Sequence, residues 1–120
     1  MRTSFTLRFK LAGERGVMFI KDKMEYILFI HKNINTETTS KQWEEFFIEA
    51  NGSGIFLGGS EISNQTQIGN KSVQKITDNI GGFMRFEAEK KDTILKLLKK
   101  HPVFIQGGTL ELCEMPKSKI

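Results

Sequence analysis

Two similar stretches, SGIFLGGSEI at residues 53–62 and HPVFIQGGTLEL at residues 101–112, decide the fold. Each places a phenylalanine between apolar residues, then a double glycine, then serine or threonine, and then a strand-like run. Each also follows a segment with helical periodicity. Two similar βαβ halves in one chain predict an antiparallel sheet of the split βαβ type.

Periodicity supplies the remaining strands. MEYILFIHK (24–32) is a continuous apolar run, typical of a strand covered on both faces. Residues 54–62 predict a second strand, and the paired glycines Gly58–Gly59 indicate a bulge or a close backbone approach within it. Residues 81–89 and GTLELCEM (108–115) alternate as strands do. QIGNKSVQKI (67–76) is predicted to form a small hairpin between the second and third strands.

Two helices are predicted between these strands. The first lies within residues 35–54, with Thr39 or Ser40 as its N-cap and Asn51–Gly52 at its end. Its apolar stripe consists of Trp43, Phe46, Phe47 and Ala50. The second covers residues 89–100 and stops before Pro102.

The predicted order is therefore β-α-β-β-α-β. We expect an α+β, ferredoxin-like domain with spatial strand order 4-1-3-2 and both helices on one face of the antiparallel sheet. The chain of 120 residues suits one domain that buries a core without disulfides. We assign residues 24–120 to this domain.

Residues 1–23 form an N-terminal extension with two interpretations. SFTLRFKL alternates like a strand, and AGERG could turn the chain into VMFIKD, which predicts an added hairpin. Alternatively, Met24 or Met18 is the natural start and the extension is appended. The extension lacks the apolar region and cleavage site of a secretory signal.

Composition excludes several classes of function. The net charge is +4, but the first 23 residues carry all of it, and the body is neutral, so we expect no nucleic-acid partner. A single cysteine, Cys113, excludes an intramolecular disulfide and a cysteine-based zinc site, and favours a reducing cytoplasm. No apolar run is long enough for a membrane span. We predict no metal and no cofactor.

Alternation leaves one sheet face without helices. That face is predicted to carry Ile27, Phe29, His31, Phe83, Arg85, Glu87, Thr109, Glu111 and Cys113. The mixture is too apolar to stay fully hydrated and too polar for a plain core. We therefore predict a homodimer that packs sheet on sheet, with a pocket where the packing is incomplete.

The segments MEYILFIH, SGIFLGGSEI, IGGFMRFEAE and HPVFIQGGTLELCEMP, in this order and spacing, resemble the YCII-related (YciI-like) family over about residues 24–117. The resemblance implies a ferredoxin-like domain that dimerises into an α/β-barrel assembly with a cleft near the interface. It also implies a histidine–aspartate pair in some members. Many relatives carry Asp-Gly-Pro-Phe where this chain reads ITDNIGGF. Asp78 matches the aspartate, Asn79 replaces the glycine, and the proline and phenylalanine have no counterpart.

Three residues are the main functional candidates. His31 ends the first strand of the domain on the partner-facing side, and histidine is the usual general base near neutral pH. Asp78 lies in a turn-prone loop and would pair with His31 if the loop folds over the cleft. Arg85 lies among apolar residues in mid-strand, so it must be paired. We expect a salt bridge to Glu87 or Glu111, or alternatively an anion clamp.

Three further residues are weaker candidates. Ser60 follows Gly58–Gly59 without a Gly-x-Ser-x-Gly context, so it is a candidate for ligand binding and not for nucleophilic attack. His101 is predicted to lie at the C-terminal end of the second helix, where a cationic or hydrogen-bonding side chain suits the negative helix end. It stays a ligand candidate because the resemblance includes its His-Pro pair. Cys113 is expected to be a small apolar residue.

Two functions follow from these candidates. The first is a small dimeric enzyme that performs lyase- or isomerase-like acid/base chemistry on a small acidic or aromatic metabolite. In this enzyme His31 is the base, Asp78 orients His31, and Arg85 binds an anionic group of the substrate. The second is a non-catalytic dimeric module that binds a small ligand or a protein. A pocket that holds His31 near Arg85 favours the first, and an Arg85 paired to a glutamate favours the second.

Overall fold

The computed structural model describes residues 23–117 and the backbone of two short strands before them. The elements are β1 (Leu7–Lys10), β2 (Val17–Ile20), β3 (Met24–His31), α1 (Ser40–Ser53), β4 (Phe56–Glu61), a 3₁₀ turn (Ile76–Asn79), β5 (Ile80–Ala88), α2 (Lys91–Leu98), α3 (Pro102–Ile105) and β6 (Leu110–Met115). None of the helices in the described ranges has the length and apolar character that crossing a membrane requires.

The domain is α+β, with one antiparallel sheet in the order β4-β5-β3-β6. Counted within the domain, this is the predicted order 4-1-3-2, and it is compatible with a ferredoxin-like fold. β1 and β2 pair with each other, as the hairpin interpretation of the extension expects. Whether the extension belongs to the natural chain stays a prediction.

The core lies between the sheet and the helices. Alternate residues of β3 and β5 face the helices, and the buried set is Tyr26, Leu28, Met84, Phe86 and Ala88 from the sheet with Phe46, Ala50, Ile94, Leu97 and Leu98 from α1 and α2. Leu110 and Leu112 of β6 pack at its margin, as alternation predicted. Burial of this apolar surface is the main stabilising term.

α1 begins where the sequence predicts and ends later than predicted. Thr39 is the N-cap, and its hydroxyl and the Gln42 side chain satisfy each other's backbone N–H groups in a capping box. The helix continues past Asn51–Gly52 to Ser53. Gly54, with φ of 78°, supplies the left-handed cap that we had assigned two residues earlier.

The predicted hairpin at residues 67–76 is wrong. No strand occurs between Ile62 and Lys75 in the described chain. The Gln67 side chain donates to the carbonyl of Val73 and accepts its N–H. These bonds involve a side chain and are not the backbone–backbone hydrogen bonds of a hairpin. Ile68 and Val73 are exposed, which means that a hairpin here would have no apolar face to bury.

The two similar sequence stretches, residues 53–62 and 101–112, do not adopt the same secondary structure along their whole length. Phe56 and Leu57 of the first copy lie in β4, whereas Val103, Phe104 and Ile105 of the second copy form the short helix α3. Pro102 ends the preceding helical segment as predicted and also starts α3, because its fixed φ suits the first helical position.

The bulge in β4 is confirmed. Gly58 has a φ of 116°, and the β4–β5 register shifts between Phe56 and Gly58. After the bulge, Gly59 lies so close to β5 that a Cβ there would collide with the carbonyl of Phe83 and the Cα of Met84.

We therefore expect Gly59→Ala to lower the free energy of unfolding by about 1–3 kcal/mol, since backbone atoms must move to admit the methyl group. Gly52→Ala is the matched control, because nothing lies within 4 Å of a Cβ there and the position is helical. It should raise stability by about 0.4–1 kcal/mol. Urea unfolding of both variants measures the difference, and equal midpoints would contradict the close approach.

Candidate functional site

A cleft of about 960 Å³ opens at the end of the sheet where β3 terminates. It lies between α1, the segment that follows β3, and the paired strands β4 and β5. Its walls are formed by Ile30, His31, Lys32, Ile34, Glu37, Thr38, Trp43, Phe47, Phe56, Gly58, Gly59, Ser60, Glu61, Gly81, Gly82, Phe83, Met84 and Val103. A concave, mainly apolar site with a few polar groups is the usual form of a small-molecule site.

Two glycines on the paired strands β4 and β5 line the cleft. Gly59 pairs with Met84, and Gly82 pairs with Ile30, in positions whose neighbours face the helices. A Cβ on Gly82 would lie 2.9 Å from the carbonyl oxygen of Ser60, so the strand spacing itself demands glycine. Gly59 and Gly82 both line the cleft, so this part of its wall consists of backbone.

Aromatic rings of α1 and β4 form the wall opposite those glycines. Trp43 stacks on Phe47 with a centroid distance of 5.8 Å and an interplanar angle of 27°, and Phe47 contacts Phe56 at 6.0 Å. The indole N–H of Trp43 donates to the hydroxyl of Thr38 at 2.9 Å, which fixes the ring. The sequence predicts Trp43 and Phe47 as part of the apolar stripe of α1, and in the structure both also line the cleft.

His31 lines the cleft and is hydrogen-bonded to a carboxylate. Its Nε2 lies 2.9 Å from Oε1 of Glu111, with 26% of the His31 side chain exposed. Glu111 is opposite Phe29 in the β3–β6 register, so Glu111 and His31 are diagonal neighbours on one face. The sequence placed both residues on this face but did not pair them.

The backbone around this pair is held by a reciprocal contact. The Asn33 amide donates to the hydroxyl of Thr109 and accepts the Thr109 N–H, both at 2.9 Å. The N–H of His31 donates to the carbonyl of Thr109. The segments that carry His31 and Glu111 are therefore fixed to each other next to this hydrogen bond.

Asp78 is not the carboxylate that contacts His31. It lies exposed in the 3₁₀ turn, whose last residue, Asn79, accepts a hydrogen bond from the N–H of Lys32. The loop thus approaches the end of β3 through its backbone, while Glu111 occupies the place that we expected Asp78 to fill. A role for Asp78 stays a prediction.

Arg85 pairs with Glu25, a partner that we did not predict. Its guanidinium lies 3.0 Å from Oε1 of Glu25, and 45% of its side chain is exposed. Arg85 is opposite Ile27, four residues from His31, which is roughly 13 Å along an extended strand. Arg85 is not among the residues that line the cleft, so the structure does not bring it together with His31.

Ser60 and His101 occupy different environments. Ser60 lines the cleft, and its hydroxyl donates to the carbonyl of Glu61 at 3.0 Å. His101 is fully buried against Trp43 and Phe46, behind the aromatic wall. Of the two roles expected for His101 after the second helix, cationic or hydrogen-bonding, the structure shows hydrogen bonding, but toward α3: His101 is the N-cap of α3 and its Nδ1 accepts the N–H of Val103.

Burial determines the charge state of His101. Desolvation lowers the pKa of its imidazole from 6.5 to about 4, so the ring is neutral at pH 7. Because Nδ1 is an acceptor, the proton must lie on Nε2, which is buried and has no hydrogen-bond partner in the described part of the chain.

Comparison of the chain with protein-family models, curated proteins and solved structures gives no significant match. Among residues 23–117, no three His, Cys, Asp or Glu side chains are grouped as a metal site requires. The candidate site therefore rests on its own geometry: a cleft, an aromatic wall and a histidine–carboxylate pair.

The depressed pKa of His101 gives a pH dependence of stability. The unfolded chain takes up the proton near pH 6.5 and the folded chain only near pH 4, so stability is lost as the pH falls between these values. We expect the free energy of unfolding to fall by about 3 kcal/mol across that interval. His101→Asn, which keeps an acceptor for Val103, should remove this component. His31→Gln should retain it, and urea titrations from pH 7 to pH 4 measure both.

Proposed function

We propose that this protein is a YCII-related domain that binds a small acidic or aromatic molecule in the cleft and transfers a proton there with His31. The hydrogen bond between His31 and Glu111 at the wall of a mainly apolar cleft carries the proposal. Lyase- and isomerase-like reactions of carbon acids need such a base next to a desolvated substrate.

The chemistry follows from the donor and acceptor roles at His31. An ionised carboxylate only accepts, so Nε2 carries the proton that it donates to Glu111. In the neutral ring, Nδ1 then holds a lone pair and can receive a proton from a substrate. Glu111 orients the ring and stabilises the imidazolium that forms, as the carboxylate does in other histidine–carboxylate pairs.

A non-catalytic ligand-binding module is the second candidate. One observation favours it, since Arg85 pairs with Glu25 and lies outside the cleft, which removes the expected anion clamp from the site. In this case the cleft would hold a ligand without altering it.

We also propose a homodimer, formed through the sheet face without helices and resembling the α/β-barrel assembly of the family. Ile27, Phe29 and Phe83 are only partly buried on that face. Two hydrogen-bonded pairs of the described residues, Arg85–Glu25 and His31–Glu111, lie on the same face. A second copy would cover the apolar residues between them.

Proton transfer can be tested with phenylpyruvate, which is both acidic and aromatic. We expect the protein to accelerate deuterium uptake from D₂O at the benzylic carbon, followed by proton NMR. His31→Gln should reduce the protein-dependent rate by about 10²–10⁴-fold. Glu111→Gln should reduce it less, and Arg85→Met should leave it within about twofold, since truncating an arginine outside the site removes no reacting group. Saturable binding with no exchange would instead favour the module.

The dimer can be tested by light scattering at micromolar concentration, where we expect twice the mass of the chain. Phe29→Glu should shift the protein to monomers because it places a charge in the apolar part of the interface. Ile48→Glu is the matched control, since Ile48 is 69% exposed on α1, away from that face. A wild-type monomer would contradict the proposal.

A further inference from the structure

We propose that the cleft binds an organic ammonium ion, a primary amine with a hydrocarbon arm, on the side that faces the helices. The ammonium group lies against Trp43 between the carboxylates of Glu37 and Glu61, and the arm lies on the two phenylalanines of the aromatic wall. This inference goes beyond the proton transfer proposed at His31, because that imidazole is hydrogen-bonded on the opposite, helix-free face of the sheet.

Three aromatic rings border the cleft on its helix side. Trp43 and Phe47 lie one turn apart on α1 with ring planes inclined by 27°, and Phe47 meets Phe56 of β4 at an angle of 49°. Phe56 in turn contacts the buried ring of Phe86, which places this wall against the core. Aromatic rings attract cations, tryptophan most strongly, and they also pack well against hydrocarbon groups.

The strand register places Glu61 on the same side of the sheet. Glu61 pairs with Gly82 of β5, and Gly82 shares its face with Met84 and Phe86, which belong to the core beneath the helices. Directly paired residues of an antiparallel sheet project to one side. Glu61 lines the cleft there, and within residues 23–117 its carboxylate has no ion pair or hydrogen bond.

Glu37 lies beside the tryptophan end of the aromatic wall. It precedes Thr38, whose hydroxyl accepts the Trp43 indole N–H, and its own carbonyl accepts the side-chain amide N–H of Gln106 at 2.9 Å, which holds its backbone in place. α1 begins at the end of the sheet where β3 terminates, and Glu61 ends β4 at the same end. Both carboxylates therefore lie at the Trp43 end of the wall.

The cation that lines the cleft lies on the other face. Among the described lining residues, Lys32 is the one lysine or arginine. A Cβ on Gly81 would lie 3.2 Å from Cγ of Lys32 and 3.8 Å from its Cε. Because Gly81 alternates with the helix-facing Ile80 and Gly82, that Cβ projects to the helix-free face, and the Lys32 stem lies there too. On the helix side, an anionic ligand is repelled by two carboxylates, whereas an ammonium ion is attracted by both carboxylates and rings.

Three probes that share a phenyl ring and a short arm test the charge of the ligand: 2-phenylethylamine as its ammonium ion, 2-phenylethanol and 3-phenylpropanoate. Quenching of Trp43, the one tryptophan of the chain, reports binding. We expect the amine to bind at least about tenfold more tightly than the alcohol, which corresponds to one charge-assisted hydrogen bond, and the anion to bind most weakly. Raising the salt from about 50 mM to about 500 mM should reduce the advantage of the amine.

Variants separate the carboxylates from the rings. The combined substitutions Glu37→Gln and Glu61→Gln should lower the affinity of the amine to that of the alcohol, while unchanged binding of the alcohol shows that the fold persists. Glu44→Gln is the matched control, since Glu44 is exposed on α1 outside the cleft. Phe47→Leu should weaken amine and alcohol together, and Phe104→Leu, at a half-exposed ring of α3 outside the cleft, should weaken neither.

The other outcomes overturn the proposal. It fails if the alcohol or the anion binds as tightly as the amine, if the advantage of the amine survives the double substitution, or if none of the probes binds. The proposed function is decided separately, because the exchange assay with phenylpyruvate depends on His31 and not on these probes. Tight binding of 3-phenylpropanoate that is lost in His31→Gln would overturn the ammonium site and support that function.

Discussion

The close approach of β4 to β5 at Gly59 and Gly82 is the constraint on which the site depends. A side chain at Gly59 would strike the backbone of β5, and a side chain at Gly82 would strike that of β4. The bulge at Gly58 brings the strands into this register. Glycine in a strand interior weakens it, so these residues reduce local stability where β4 and β5 form the backbone part of the cleft wall.

The Arg85–Glu25 and His31–Glu111 pairs on the open sheet face have different surroundings. Arg85 and Glu25 lie in the middle of the sheet, outside the cleft, where their charges neutralise each other. His31 and Glu111 lie where β3 ends, and there the histidine borders open volume. A histidine that is held by a carboxylate and borders a cavity can exchange a proton with a ligand, whereas the arginine pair is suited to packing against another surface.

The sequence predicts the order of elements well because the apolar periods are long and the caps are explicit. Thr39 or Ser40 is expected at the start of α1, and the alternation in β3 and β5 assigns both faces of the sheet. The sequence predicts the partners of charged side chains poorly. Arg85 has glutamates at several positions of the same face, and only the register shows that Glu25 is the one in contact.

The loop at residues 67–76 and the aromatic wall formed by Trp43 and Phe47 show two other limits of prediction from the sequence. A hairpin at residues 67–76 is plausible from composition, but Gln67 satisfies the backbone of Val73 through its side chain, a contact without a sequence pattern. Trp43 and Phe47 have core periodicity and do contact the core side of the sheet. They also line the cleft, and their position beside β4 and β5 depends on tertiary structure.

The segment from Ile62 to Lys75 determines where this domain can accept inserted residues. Its base is closed by the hydrogen bonds from Ile62 to Gly81 and from Gln65 to Thr77, and the residues beyond are almost entirely exposed. Exposed loops with fixed bases tolerate insertion, since the added length leaves the sheet in register. This loop is therefore a position at which the domain can acquire new segments, or be opened to give a permuted chain, while β4 and β5 keep their register.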